Sequence, residues 1–143
     1  MVEQIKDGDE VLGIIIRAHF QRDGIHFFTP DQFSQQLAYM RHPAGRKIDA
    51  HYHTALPRSV EFTQEVLVIR KGVLRTDFYR RDQSYLESRV LREGDVMLLA
   101  HGGHGFEVLE DLEMIEVKQG PYAGEKEKVR FASAPASELR IVA

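Results

Sequence analysis

The side chains with the most chemistry to offer in this chain are its histidines and one carboxylate. Histidine stands at His19, His26, His42, His51, His53, His101 and His104, and no cysteine accompanies them. In a strand, residues i and i+2 project from one face roughly 6 to 7 Å apart, so His51 and His53 make a good pair of neighbouring ligands. Glu65 heads the run Glu65-Val66-Leu67-Val68-Ile69, apolar enough that its carboxylate faces partial desolvation unless a positive charge is near. His104 follows a Gly-Gly pair at the expected start of a later strand. Three imidazoles and one carboxylate form a nitrogen and oxygen donor set suited to one divalent ion, Fe, Mn, Ni, Co or Zn, without choosing among them. Four such ligands leave open positions on an octahedral ion, as catalytic sites do and structural sites do not.

These residues have to be held by strands. Residues 12–16, 25–28, 35–41, 48–54, 60–70, 73–79, 85–91, 96–100, 105–109 and 112–118 alternate apolar with polar positions or form short β-branched runs between turn residues, which predicts about ten short strands. Lys71-Gly72 reads as a tight hairpin and Arg81-Asp82-Gln83-Ser84 as an ordinary loop. Residues 30–36 are the best helical candidate, and they amount to one or two turns. No segment sustains the 3.6-residue period that a crossover helix requires, so an antiparallel, all-β domain is expected. Each strand must bury one face, and a sandwich or a barrel achieves this. Residues 132–143, rich in Ala, Ser and Pro, read as a tail laid on the surface or on a partner. Residues 11–16 are too apolar for a free edge strand, which predicts a homodimer that buries them.

The spacing of the ligand candidates resembles the cupin superfamily. Gly45, five residues, His51-Tyr52-His53, then Glu65, six residues and Gly72 are similar to the first cupin motif, with eleven residues between His53 and Glu65 where that motif usually has three or four. Gly94 through His104 is similar to the second motif, with Ala100 in place of its proline, one residue fewer before the histidine, and Val108 in place of its asparagine. The resemblance implies a double-stranded β-helix, a jelly-roll cupin barrel, as a single domain over residues 1–143. Its barrel core would span about residues 33–119, with N-terminal strands and the C-terminal tail flanking it. It resembles small single-domain bacterial cupins, many of unknown function.

Composition narrows the function classes. The chain has 143 residues, 19 basic against 22 acidic, with a formal net charge of -3, and its arginines are interleaved with acids, so a nucleic-acid partner is not expected. Arg70, Lys71, Arg75, Arg80, Arg81, Arg89 and Arg92 read as a solvated sheet face. No membrane-length apolar run or secretory leader is present, so a cytoplasmic protein is expected. The leading expectation is a metal-dependent enzyme of isomerase, epimerase or dioxygenase type, acting on a small polar, sugar-like or keto or hydroxy acid substrate. In it His51, His53, Glu65 and His104 hold the ion, His101 and Tyr52 serve as acid or base, and Tyr39, Arg58 and Gln64 contact substrate. The alternative is a non-catalytic small-molecule-binding or sensing module.

Overall fold

A seven-residue stretch as apolar as Glu10–Ile16 is stable as a strand when both its edges are paired and both its faces covered. A computed structural model, which describes residues 1–143, places it in that setting. Strand β2 (Glu10–Ile16) pairs antiparallel on one side with β1 (Val2–Asp7) and on the other with Val96–Leu99. Every residue from Val11 to Ile16 is buried. The segment is therefore an inner strand of its own chain, and its apolar character calls for no partner molecule.

The protein is all-β, with two single 3-10 turns and no α-helix. No helix is long and apolar enough to cross a membrane. The chain divides into two compact units, Met1–Phe20 with Phe62–Ala143, and Gln21–Glu61. In the smaller unit, β3 (Gly24–Phe27) pairs antiparallel with β4 (Ala38–Arg41). The loop between them, where a helical turn was expected, is instead tied by side chains. Thr29 Oγ1 donates to Gln36 Oε1 at 2.7 Å, and Gln36 Nε2 donates to the carbonyls of Pro30, Asp31 and Phe33. Residues 42–64 form no strand, so the expected strand over 48–54 is absent and the expected 60–70 strand starts only at Glu65.

The larger unit is organised by β5 (Glu65–Tyr79). Its first residues pair with β7 (Val96–Leu99), its last with β6 (Tyr85–Arg92), and β8 (Gly103–Lys118) follows it from end to end. Lys71-Gly72 is not a hairpin, because β5 runs through it. The β5–β8 register instead slips between Ile69 and Leu74, where Gly72 takes a φ of +89°. Such slips bend a strand and strengthen its twist. Here the bend folds the ribbon back on itself. Glu65 pairs with Lys118 at one end of the β5–β8 ladder and Phe78 pairs with His104 near the other, yet His104 Nε2 lies 3.5 Å from Glu65 Oε2. Thirteen residues of straight strand would separate those ends by roughly 40 Å. The curled antiparallel sheet is thus a half-barrel whose inner face carries Leu67, Ile69, Leu74 and Phe78, all buried with Ile5, Leu12, Ile15, Leu91, Met97 and Leu99.

Two further expectations meet the structure on this unit. The tail lies on the sheet: Ser88 on β6 donates to the Arg140 carbonyl and accepts from Val142 N–H, which covers the outer edge of that strand. The arginine-rich face is only partly solvated. Arg17 bonds both Glu3 and Asp95, Arg89 bonds Glu3 and Glu87, and Arg75 bonds Asp77, with side chains that are 15% exposed or less. Alternating charge along strands does not distinguish a wet face from a paired one, because pairing depends on which strands become neighbours.

Candidate functional site

Of the expected ligands, Glu65 and His104 belong to the larger unit and meet there because the ribbon curls. Glu65 opens β5 and its side chain is 12% exposed, while His104 near the start of β8 keeps 32% of its side chain exposed. Burial is the leading cause that pushes the Glu65 carboxyl above its usual pKa, and the nearby Glu116 carboxyl adds to it against Lys118 and Lys128. Crowding of the His104 ring by protein is likewise the leading cause that lowers its pKa, against the opposing pull of Glu116. The two shifts point the same way: a neutral imidazole faces a carboxyl that holds its proton to higher pH than usual.

Glu116 completes this cluster, and residue-type reasoning did not single it out. Its carboxyl stands near enough to Glu65 to help push that group's pKa up, as one acid beside another does. The signal was present in the register. Leu67 pairs with Glu116 and Glu65 with Lys118, so Glu116 and Lys118 share the Glu65 face, but that pairing is not readable before the strands are matched. Lys118 donates to Glu127 at 3.0 Å, and Thr63 donates to the same carboxylate at 2.8 Å, which ties both Thr63, just before Glu65 in the chain, and Lys118, the cross-strand partner of Glu65, to the 3-10 turn at Gly124–Glu127.

His51 and His53 lie in the smaller unit, both exposed, with ring centroids 5.4 Å apart. The His51 Nδ1–H donates to the Asp49 carbonyl at 2.8 Å. That bond leaves Nε2 as the nitrogen with a lone pair to offer, as in histidines that ligate metals. Within neither unit are three or more His, Asp or Glu side chains gathered as a metal cluster. Tyr39 on β4 is half-buried, whereas Tyr52 and Arg58 are exposed in the 42–64 segment. Gln64 is buried beside Glu65, and its backbone N–H donates to Gln119 Oε1 at 2.8 Å. His101 packs edge-on against Phe62, whose ring also carries the Arg81 guanidinium at 4.8 Å.

The His104 shift has a measurable consequence. In chelator-treated protein, the His104 ring protons should titrate with a midpoint below the ordinary histidine value of 6.5. A midpoint at or above 6.5 by NMR would contradict the crowding described. Because the folded pKa is depressed, the contribution to stability is fully present above pH 6.5 and is lost as pH falls through the folded value.

Comparison with family models, with curated proteins and with solved structures gave no match.

Proposed function

We propose that this protein is a metal-dependent enzyme of the cupin kind, a double-stranded β-helix that binds one divalent ion through Glu65, His104, His51 and His53. Its substrate is a small, oxygen-rich molecule of the sugar or keto and hydroxy acid class. The observation that carries the reading is the meeting of Glu65 and His104 at 3.5 Å from opposite ends of one ladder, at positions that both motifs single out. The donors fit a divalent ion: a neutral imidazole, a carboxylate that is buried against its own charge, and a histidine whose Nδ1 is already engaged. A divalent ion there would polarise a carbonyl or hydroxyl of the substrate.

The other groups have roles of their own. Glu65, whose pKa is pushed up by burial and by the Glu116 carboxyl beside it, is placed to hold or release a proton at that face. Lys118 and Lys128 bring positive charge to that face, which suits a substrate with oxygen or acid groups. His101 and Tyr52 remain candidates for acid–base work, and Tyr39, Arg58 and Gln64 for substrate contact.

Elemental analysis of protein purified without chelator or an affinity tag tests this reading. One equivalent of Fe, Mn, Ni, Co or Zn is expected, and His104→Ala should weaken its binding tenfold or more, a loss of about 1.4 kcal/mol or greater. An unchanged affinity in His104→Ala would remove it from the ligand set. Protein that takes up no divalent ion would leave a metal-free Glu65–Glu116–His104 acid–base site or a sensing module as the reading.

A further inference from the structure

The strand edges of the larger unit are not treated alike. Residues 140–142 cover β6, and β1 at the opposite side has six residues with Glu, Lys and Asp among them, the short charged form that discourages pairing. β8 has sixteen residues and pairs only with β5. Its outer edge is open, and Val108, Leu109, Ile115 and Val117 along it are 46% to 56% exposed. A long edge with apolar side chains is a template for another strand.

Residues 46–54 have the complementary defect. Arg46-Lys47-Ile48-Asp49-Ala50-His51-Tyr52-His53-Thr54 alternates like a strand but pairs with nothing as one, and Ile48 and Tyr52 are 64% and 85% exposed. Its length matches the C-terminal half of β8, at roughly 30 Å extended. Charge matches as well. β8 carries Glu107, Glu110, Asp111, Glu113 and Glu116 against a single Lys118, whereas residues 41–54 carry Arg41, Arg46 and Lys47 against a single Asp49. A second β8 would be a poor occupant, since antiparallel registers centred on residues 110–113 set carboxylates opposite carboxylates.

Face parity agrees. Met114, Glu116 and Lys118 share the Glu65 face of the sheet, and Ile115 and Val117 point the other way. A strand that presents Lys47, Asp49, His51 and His53 to the Glu65 face presents Ile48, Ala50 and Tyr52 to Ile115 and Val117.

We infer that two copies of the chain exchange this segment: residues 46–54 of each copy pair with the open edge of β8 in the other. Every copy has one open edge and one unpaired segment, so a twofold pair satisfies both and closes. The exchange brings the partner's His51 and His53 to the face that holds Glu65 and His104. That last consequence rests on the metal site proposed above, whereas the strand pairing does not.

The test uses the absence of cysteine. A chain carrying both Ala50→Cys and Ile115→Cys, treated with a short bismaleimide in the presence of chelator, is expected to run as a covalent dimer. Unmodified protein should show twice the chain mass by light scattering at micromolar concentration. Glu113→Lys, which places a cation opposite the basic segment, should raise the dimer dissociation constant tenfold or more. A link formed only within one chain, no link at all, or a monomeric mass would each overturn the exchange. Cross-linked dimers that take up no metal would leave the exchange standing and end the metal reading. Metal uptake by a monomer would do the reverse.

Discussion

Replacing Gly72 by alanine is expected to lower the midpoint of thermal unfolding by roughly 10 °C and to loosen the Glu65–His104 contact. Gly72 sits in the slipped register of β5 at a φ of +89°, a region that costs a residue with a Cβ of order 1–2 kcal/mol. The second cost is larger. A Cβ at this position would lie 2.0 Å from the Asp111 carbonyl oxygen and 2.9 Å from that of Glu110. Both are backbone atoms of β8, so relief requires the two strands to separate at the bend. The sum is about 3 kcal/mol, and a domain of this size loses roughly 3 to 4 °C for each. Because the bend is what returns β8 to Glu65, the same variant should shift the His104 titration toward its ordinary value. Gly8→Ala is the control. Gly8 has a φ of +61° with nothing within 4 Å of an added Cβ, so it bears the backbone strain alone, about 1 kcal/mol. Equal losses in the two variants would mean that the packing of β5 on β8 at the bend contributes nothing.

Asp95→Ala is expected to cost about 3 to 4 kcal/mol. The Asp95 side chain is 7% exposed and accepts three hydrogen bonds: from Arg17 Nη1 at 2.9 Å, from Ala18 N–H at 2.8 Å and from Arg92 N–H at 2.9 Å. It thereby fixes the turn between β6 and β7 and joins it to the end of β2. Alanine strands two backbone donors and takes one partner from a guanidinium that is itself 14% exposed, and unpaired buried donors cost more than a formed bond contributes. Arg17 keeps Glu3, whose carboxyl is held below its usual pKa chiefly by that hydrogen bond, so the loss stays short of a fully isolated charge. Chemical denaturation at pH 7 measures it. Asp95→Asn keeps an acceptor and should lose about half as much; a neutral result in Asp95→Ala would show that water satisfies all three donors.

Much of the architecture was legible without coordinates. Nine of the ten predicted strands overlap strands of the structure, with 60–70 and 73–79 both on β5 and 105–109 and 112–118 both on β8, because period-two alternation and turn residues act within a few positions of the chain. The places where local reading failed share one cause. Lys71-Gly72 has hairpin composition, but a glycine at positive φ serves a hairpin or a bulge equally well, and the continuous partner β8 decides for the bulge. Residues 48–54 alternate like a strand, yet alternation creates only the capacity to pair, and a strand exists where a partner edge is supplied.

The candidate site divides along the same line. The types His51, His53, Glu65 and His104, and the desolvation of Glu65 in an apolar run, were determined by the sequence alone, since they follow from side-chain chemistry and short spacing. That Glu65 meets His104 across thirteen residues of ladder, and that Glu116 and Lys118 join them, was decided only by tertiary structure. Register and curvature are properties of paired strands, and a bend of one bulge moves a side chain through distances that no local pattern encodes.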